Sequence, residues 1–344
     1  MKSFVIEKDG STKICELPKP KYNPNQALVK TIACGMCGTD VKLLHKTFKG
    51  FPESAYPVIL GHEGVGEIVE VGSNVTSFKI GDKVLLPFID PDPELYPGMN
   101  SAWGALSEYA VVCDPKAPWK DGNVPDCAFA QTVLPADIDP VDASMIITFR
   151  EVLSNIRYFG IQPGDSVVVY GCGPVGLTFI KFLNLCGVEE ITAIDRHDIK
   201  LANAKRNGAK HVINSKEEDV TDIVRSLYPS GVNFVLDAIG HPFVVNAAMP
   251  LIADRGAVLC YGVPEKEEIT INFSKASYNW KVIYQQMPCK KDEGLATEQV
   301  IDWIRSGKLV LKDFISDYFP FSESVEAFQM LLDRKIQKKG IIVF

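Results

Sequence analysis

The sequence of 344 residues predicts a two-part α/β protein, in which a small β-barrel or sandwich precedes a doubly wound parallel sheet. Three observations support this prediction. Short strand-like runs separated by Gly and Pro turns fill the chain from Met1 to about Pro140. Apolar strand-like runs alternate with helix-like segments over residues 165–261, which is typical of a parallel sheet. A glycine-rich turn follows the first strand of that alternating region.

The glycine-rich turn has the spacing of a phosphate-binding loop. Gly171, Gly173 and Gly176 follow an apolar strand at 167–170 and precede an apolar helix at 177–185. The first glycine permits a tight turn, the second lets the backbone approach a pyrophosphate, and the third lets helix and strand pack closely. Unpaired N–H groups at the helix start would bind the phosphates. An ordinary strand–helix–strand crossover is the alternative interpretation.

An acidic residue ends the next strand of this region. Asp195 follows the strand at 191–194 and lies about 20 residues beyond Gly176. Its carboxylate is suited to accept hydrogen bonds from an adenosine ribose, whereas a 2′-phosphate there would meet like charge. The adjacent Arg196 could pair with such a phosphate, so NADP is the alternative. The sequence therefore predicts binding of NAD in preference to NADP.

Composition excludes several classes of partner. The chain is 46% apolar and 23% charged, with a net charge of −7 and no basic block, so nucleic acid is not an expected partner. No apolar run reaches the roughly 18 residues that a membrane helix needs, so no membrane partner is expected. The charged N-terminal segment and nine scattered cysteines favour a cytoplasmic protein with reduced thiols.

The remaining elements are predicted from periodicity and turn residues. In the first part, strands are expected at 4–6, 26–34, 64–71, 82–87 and 106–112. In the second part, helices are expected at 197–207, 220–227 and 244–252, and strands at 211–213, 233–238 and 257–261. Beyond residue 290 the pattern indicates helices at 297–306 and 322–333 and a final strand at 341–344.

Two short segments of the first part carry metal-binding residue types. Cys37 lies in the segment Cys-Gly-Met-Cys-Gly-Thr-Asp at 34–40, and His62 and Glu63 lie in Gly-His-Glu-Gly-Val-Gly at 61–66. A thiolate and an imidazole on separate segments can share a catalytic metal, which needs three protein ligands and one open position. Thr39 would place a hydroxyl beside that position. The alternative is a buried, inert cysteine and a loop histidine with hydrogen-bonded nitrogens.

Together with Gly-Asp-Lys-Val at 81–84 and the glycine turn, these segments resemble the medium-chain zinc-dependent alcohol and polyol dehydrogenases, most closely the threonine, sorbitol and sugar-acid dehydrogenases. The resemblance covers nearly the full chain. It implies a GroES-like catalytic domain of residues 1–150 completed by 290–344, and a Rossmann domain of residues 151–289. It also implies hydride transfer between NAD(P) and a secondary alcohol or ketone, with a small polar substrate such as a polyol or sugar acid, in a homodimer or homotetramer.

The resemblance assigns roles to individual residues. Cys37 and His62 match metal ligands, and Glu63 matches an acid that lies beside the metal and sometimes binds it. Asp40 matches the carboxylate that orients the ligand histidine, and Thr39 the hydroxyl that takes the substrate proton. Further matches are Phe88, expected to line the alcohol pocket, and the expected dinucleotide contacts Gly171, Gly173, Pro174, Val175, Gly176, Asp195, Arg196, Lys200, Tyr261, Gly262 and Val263.

Two departures from the family pattern change the expected site. The family often carries four closely spaced cysteines that bind a structural zinc, but residues 86–103 contain none. One catalytic zinc per chain and no structural zinc are therefore expected, and the acidic, proline-rich loop from Asp90 to Pro97 has no assigned role. Lys42 stands where many members have a histidine that passes the proton to solvent, and a lysine can do so only if its pKa falls.

A third departure concerns the metal site itself. The family usually supplies a further ligand near residue 147, but Ile146, Ile147, Thr148 and Phe149 include no strong ligand. Glu63 could complete the site, water could fill the position, or Glu151 could reach it from one helical turn later. Two alternatives follow: a metal-independent carbonyl or enone reductase, and a catalytically inactive dinucleotide-binding protein.

Overall fold

The computed structural model describes residues 1–264 and 268–344, which divide into two compact units. The first unit comprises Met1–Arg150 and Cys289–Phe344, and the second comprises Glu151–Pro288. None of the helices within the described ranges combines the length and the apolarity that crossing a bilayer requires.

The N-terminal segment of the first unit is mainly β-structure, as the sequence predicts. Its elements are β1 (Lys2–Ile6), β2 (Thr12–Glu16), β3 (Gln26–Gly35), α1 (Gly38–Leu44), β4 (Val58–Ile59), β5 (Gly64–Val71), β6 (Lys83–Leu85), β7 (Asn100–Ser101), β8 (Tyr109–Cys113) and α2 (Ser144–Phe159). The sequence analysis missed β2, β4, β7 and α1. Two of these strands have two residues, and α1 has seven, which is too short for an apolar periodicity to stand out.

The second unit is an α/β layer structure. Its elements are β9 (Ser166–Tyr170), α3 (Pro174–Leu185), β10 (Glu190–Asp195), α4 (Asp198–Arg206), β11 (His211–Asn214), α5 (Val220–Leu227), β12 (Val232–Asp237), α6 (Phe243–Ala248), β13 (Ile252–Cys260) and β14 (Lys281–Tyr284). All strands are parallel in the order β11-β10-β9-β12-β13-β14. This is the doubly wound order of a Rossmann sheet, and the predicted fold class is confirmed.

In the second unit one prediction was wrong in detail, and one strand was not predicted. The expected helix at 244–252 ends at Ala248, and Ile252 already begins β13. Leu251 and Ile252 are fully buried, and a short apolar run of this kind does not distinguish a buried helix from a buried strand. The edge strand β14 was also missed.

The C-terminal segment returns to the first unit. It contains α7 (Lys290–Arg305), β15 (Ile315–Pro320), α8 (Ser324–Leu332) and β16 (Lys339–Val343). One sheet of this unit has the order β2-β1-β4-β7, and the other has the order β15-β16-β3-β5-β6 with β8 also paired to β3. Because β16 pairs with the end of β3, it brings residues of the C-terminal segment to the turn before Cys37.

Candidate active site

Helix α1 places two of the predicted residues directly after β3. Cys37 precedes the first turn of the helix, and its backbone N–H donates a hydrogen bond of 2.8 Å to Oδ2 of Asp40. Asp40 is fully buried, and its Oδ1 lies 3.3 Å from Nδ1 of His62. The Asp40 carboxylate therefore contacts both the backbone of Cys37 and the imidazole ring of His62.

His62 and Glu63 lie in the turn between β4 and β5. Gly61 has φ +112°, and a Cβ there would lie 2.4 Å from the backbone nitrogen of Leu106, so only glycine fits. One donor atom each of Cys37, His62 and Glu63 lie within 4.8 Å of one another. The structure thus brings together the three residues that the sequence analysis predicts as metal ligands.

The position of Asp40 behind His62 suits a metal ligand. Burial lowers the pKa of His62, but the Asp40 carboxylate prevails and raises that pKa well above its ordinary value. A carboxylate behind a histidine fixes the orientation of the ring and increases its basicity, which is the usual arrangement behind a metal-binding histidine. Thiolate, imidazole and carboxylate donors are the set that zinc prefers. The side chains present therefore fit a catalytic zinc ion.

Glu63 has two partners that the sequence analysis missed. Nζ of Lys339 lies 2.8 and 2.7 Å from its two carboxylate oxygens, and the hydroxyl of Thr148 donates a hydrogen bond of 2.8 Å to Oε1. Glu63, Thr148 and Lys339 are each 3% exposed. Burial raises the pKa of Glu63, but Lys339, with His62 and Thr148, outweighs burial and lowers that pKa. The carboxylate is therefore charged and has its countercharge inside the protein.

Thr148 and Lys339 gave different signals in the sequence. Thr148 stands in the run near Ile147 that lacks a strong ligand, and a hydroxyl there was the available clue. Ile147 is buried, whereas Thr148 on the same helix reaches Glu63. Lys339 begins a buried strand, and a lysine in such a place needs a buried acid. Gly35 allows this packing, since a Cβ there would lie 2.3 Å from Oε2 of Glu63.

Three other predicted residues lie in the first unit. Thr39 and Lys42 are partly buried on α1, the helix that also carries Asp40. Phe88 is partly buried and pairs with Val111 through two backbone hydrogen bonds of 2.9 and 2.8 Å. The catalytic and pocket roles of these three residues stay predictions.

The glycine turn of the second unit has the predicted geometry around α3. Gly171 has φ +93°, and a Cβ on Gly176 would lie 1.8 Å from the carbonyl oxygen of Gly171. A Cβ on Gly173 meets no described atom within 4 Å, so this position faces open space. Pro174 and Val175 form the first turn of the helix, where backbone N–H groups have no helical partner. The turn thus leaves room for a phosphate group at a helix N-terminus.

Asp195 ends β10 and is held by backbone N–H groups. Its Oδ2 accepts a hydrogen bond of 2.9 Å from Cys172, and its Oδ1 accepts bonds of 2.7 and 3.1 Å from Arg196 and His197. Arg196 is exposed, and Lys200 is partly buried on α4. The carboxylate is therefore fixed at the carboxyl edge of the sheet, which is where a ribose binds in such folds.

The segment after β13 lies at the same edge. The N–H groups of Tyr261 and Gly262 both donate to the carbonyl oxygen of Asp237, at 3.1 and 2.9 Å. Val263 follows them in the chain, and all three are partly buried. The hydroxyl of Tyr261 donates a bond of 2.6 Å to Oε1 of Glu151. Glu151, considered above as a metal ligand, thus has a tyrosine partner within the second unit.

Comparisons with known proteins agree with both halves of this description. A model described as the alcohol dehydrogenase GroES-like domain matches residues 23–119, and one described as zinc-binding dehydrogenase matches residues 174–299. An NADP-dependent isopropanol dehydrogenase from Thermoanaerobacter brockii is 30% identical over 274 residues, covering 75% of this chain and 74% of that relative. The chain belongs to the zinc-type medium-chain alcohol dehydrogenase family.

Other members of this alcohol dehydrogenase family match over the full length. A sorbitol dehydrogenase from Bacillus subtilis is 26% identical over 355 residues, covering 100% of this chain and 97% of the relative. An alcohol dehydrogenase from E. coli CFT073, solved in complex with NADH, has a TM-score of 0.79 and 25% identity, covering 100% of this chain and 99% of that one. The predicted family is confirmed, and the chain is an oxidoreductase of the alcohol and polyol dehydrogenase type.

Proposed function

We propose that this dehydrogenase interconverts a secondary alcohol and a ketone at a zinc centre formed by Cys37, His62 and Glu63. The observation that carries the proposal is the approach of their donor atoms to within 4.8 Å, with Asp40 behind the imidazole. A zinc ion bound there supplies a Lewis acid that lowers the pKa of the substrate hydroxyl. The small polar alcohol predicted from the sequence, such as a polyol or sugar acid, is one candidate substrate.

The chain's own residues would position the substrate and move its proton. Bound NAD⁺ would supply the hydride acceptor. In the proposed oxidation Thr39 would take the hydroxyl proton while the carbinol carbon would give up a hydride, so that alcohol and NAD⁺ yield ketone, NADH and one proton. Lys42, three residues after Thr39 on α1, would pass the proton to solvent. Asp40 would hold the imidazole in place, and Phe88 would line the alcohol pocket.

We assign Glu63 as the third protein ligand. Lys339 and Thr148 support this role because they fix the carboxylate through three contacts of 2.7 to 2.8 Å. The lysine also balances the charge of the carboxylate, so the site would keep only the charges of the thiolate and the metal. A further ligand from the region of Ile147 is then unnecessary, because a catalytic zinc needs three protein ligands.

NAD is the proposed cofactor, in preference to NADP. Asp195 supports this because its carboxylate is fixed by three backbone N–H groups and would repel a 2′-phosphate. The exposed Arg196 is the feature that favours NADP. The relatives differ, since the Thermoanaerobacter brockii enzyme is NADP-dependent and the E. coli protein was solved with NADH. The relatives therefore do not decide between the two cofactors.

Several finer proposals accompany this one. The unit with the metal ligands would serve as catalytic domain, and the unit with the glycine turn would bind the dinucleotide. One zinc per chain and no structural zinc are proposed, because residues 86–103 lack cysteine.

A homodimer or homotetramer and a cytoplasmic location stay predictions. Tyr284 on the edge strand β14 is half exposed, which supports association through that edge.

The central test combines metal analysis with a substrate screen. Cys37→Ser should lower zinc content and abolish alcohol oxidation together, because the thiolate is the softest ligand of the site. The matched control is Cys289→Ser, at an exposed cysteine. Zinc content is measured by elemental analysis, and oxidation by the absorbance of the reduced cofactor with NAD and with NADP.

Two outcomes of this test contradict the proposal. Full activity of the Cys37→Ser variant without zinc would indicate the metal-independent carbonyl or enone reductase that the absent ligand near Ile147 suggests. Tight NADH binding without turnover of any alcohol, in a zinc-loaded protein, would indicate an inactive dinucleotide-binding protein.

A further inference from the structure

The cysteine-free loop at 86–103 ends beside a proposed metal ligand. Trp103, its last residue, has its ring centroid 5.2 Å from that of His62, with an angle of 55° between the planes. The sequence analysis gave this loop no role. The contact is notable because the carbinol carbon of a substrate would have to lie close to the zinc ligands.

Backbone hydrogen bonds fix Trp103 against the segment that carries His62. Ala102 N–H donates to the carbonyl oxygen of Ile59 at 2.8 Å, and Ala105 N–H donates to that of Gly61 at 2.9 Å. The carbonyl of Trp103 accepts a bond of 2.7 Å from Ile89, which is buried. The chain therefore sets the distance between the indole and the imidazole through bonds on both sides of the tryptophan.

The backbone of Trp103 is itself unusual. Its φ is +67°, a conformation that costs a bulky side chain of order 1 kcal/mol or more. Such strain persists only where the surroundings impose it, and it clusters at ligand sites. The next residue, Gly104, also has positive φ and is packed against Ile89. The loop thus holds the indole in one defined direction.

Two phenylalanines extend the aromatic surface. The rings of Phe48 and Phe51 each lie 6.2 Å from Trp103, and they lie 5.9 Å from each other. Both follow α1, the helix that carries Thr39 and Asp40. Phe48 is buried at 8% exposure, whereas Phe51 and Trp103 are partly exposed. We call Trp103, Phe48 and Phe51 the aromatic wall. All three side chains belong to, or pack against, one hydrophobic cluster of the first unit, and the indole N–H is their one polar group.

We propose that Trp103 is a specificity-determining residue, and that the aromatic wall receives an aromatic or alicyclic ring attached to the carbinol carbon of the substrate. The inference rests on the proposed function, because the zinc centre is what brings that carbon close to His62. Ring faces gain stacking in addition to burial of apolar area against Trp and Phe. A polyol would lose hydration of its hydroxyls there without gaining matching partners from the wall. The proposed substrate therefore differs from the polyol or sugar acid predicted from the sequence.

Kinetics with matched alcohols provide the first test. The zinc-loaded enzyme is assayed with 1-phenylethanol, 1-cyclohexylethanol, 2-propanol and sorbitol. We expect kcat/KM to be at least tenfold higher for the two ring-bearing alcohols than for 2-propanol or sorbitol. Trp103→Ala should raise KM for 1-phenylethanol about tenfold and change kcat/KM for 2-propanol less than about threefold. Trp103→Phe should restore most of the loss, and Phe129→Ala, at an exposed aromatic of the same unit, is the control.

A binding measurement that needs no turnover provides the second test. In saturation-transfer NMR with the zinc-free full-length chain, ring protons of 1-phenylethanol should receive saturation from the protein, and Trp103→Ala should abolish this signal while Trp103→Phe retains it. Sorbitol should show none. Circular dichroism of each variant establishes that a lost signal is not a loss of fold, and Trp103→Phe keeps the test decisive if the alanine variant does not fold.

The outcomes separate this inference from the proposed function. Turnover of 2-propanol or sorbitol at least as efficient as that of the ring-bearing alcohols, or an equal effect of Trp103→Ala on every alcohol, overturns the inference and leaves the zinc-dependent oxidation intact. Absence of turnover with all four alcohols in the zinc-loaded enzyme, while 1-phenylethanol still gives the Trp103-dependent NMR signal, contradicts the proposed function and leaves the aromatic wall as a binding surface.

Discussion

The two chemical regions of this protein hold their negative charges in opposite ways. At the edge of the parallel sheet, Asp195 is held by three backbone N–H groups from residues that closely follow β9 and β10. In the metal cluster, Glu63 is held by a lysine 276 residues away and by a threonine 85 residues away. The charge of Asp195 is held by backbone N–H groups. The charge of Glu63 is held by side chains that only tertiary folding brings together.

This difference has energetic consequences. A partly exposed carboxylate with backbone donors can exchange partners with water, so each single contact contributes little. A buried carboxylate and its lysine depend on each other, because loss of either partner leaves an uncompensated charge inside the protein. Substitutions around Glu63 should therefore reduce the free energy of unfolding most. In the glycine turn, one substitution should reduce stability and another should weaken nucleotide binding.

The largest effect is expected at Lys339. Lys339→Met should destabilise the zinc-free chain by about 3–5 kcal/mol, because Glu63 would remain buried without a countercharge. The measurement is urea unfolding followed by circular dichroism. In the double variant Glu63→Gln with Lys339→Met the loss should be smaller, since both charges are removed.

The exposed Lys335, whose Nζ lies 2.9 Å from Asp333, is the matched control for that prediction. Lys335→Met should cost less than about 1 kcal/mol, as is usual for a surface ion pair. Equal losses of unfolding free energy in Lys339→Met and Lys335→Met would show that breaking the buried pair costs no more than breaking a surface pair. The proposed difference between the two regions would then be wrong.

The next effect concerns two glycines of the nucleotide region. Gly176→Ala should reduce the free energy of unfolding by about 3 kcal/mol, because its Cβ would overlap the carbonyl of Gly171 at 1.8 Å.

Gly173→Ala should leave the free energy of unfolding within about 1 kcal/mol but weaken NADH binding at least tenfold, since the new methyl group would occupy the space of the pyrophosphate. Unfolding curves and NADH fluorescence titration test both; unchanged NADH affinity in Gly173→Ala would place the phosphates elsewhere.

Thr148 should give a smaller effect than Lys339. Thr148→Val removes one hydrogen bond to a charged carboxylate and should cost about 2 kcal/mol. Thr178→Val is the control in the other unit, where the hydroxyl donates to the neutral carbonyl of Pro174, and it should cost about 1 kcal/mol. Chemical unfolding of both variants decides the order, and a reversed order would mean that Lys339 alone holds Glu63.

The smallest effect concerns the buried carboxylate of Asp114, which has no ion pair with a cation among the residues that the structure describes. Asp114 accepts bonds from the N–H groups of Thr76, Ser77 and Lys116 and from the hydroxyl of Ser77. Burial raises its pKa, but these bonds prevail and lower the pKa from 3.8 to about 2. Because the pKa is lower in the folded state, the stabilisation is present above about pH 4 and is lost as the pH falls towards 2.

The loss at Asp114 should amount to about 1 kcal/mol, after allowance for solvent screening. It is measured as the difference in urea stability between pH 5 and pH 2.5, with Asp114→Asn as the reference. The variant should show a correspondingly shallower pH dependence over this range. A parallel dependence in both proteins would show that backbone donors do not hold this charge as described.

The sequence predicted the nucleotide region better than the metal region for a physical reason. Strand, glycine turn, helix and Asp195 are contiguous, so local patterns suffice to predict them. The approach of Cys37, His62 and Glu63 to one another was also expected from the sequence, because each lies in a short segment with a family pattern. Lys339 and Thr148 were missed because a single hydroxyl or lysine carries no pattern of its own.

Trp103 shows the same limit at a third place. Its neighbour His62 was predicted, but the loop that carries the tryptophan departs from the family pattern and offered no template. The indole reaches the imidazole only through backbone pairing with residues 59–61, which depends on tertiary structure. The short strands β4 and β7 were missed for a different reason, since two residues have no periodicity.

The route of the chain through the first unit also bears on how the protein matures. During synthesis, Cys37, His62 and Glu63 leave the ribosome before the whole second unit, and Lys339 follows only after it. Until β16 adds to β3, the Glu63 carboxylate lacks the countercharge of Lys339, so it would attract cations more strongly than in the folded protein. If Cys37, His62 and Glu63 bind zinc as proposed, a nascent chain would bind the ion before β16 completes the sheet.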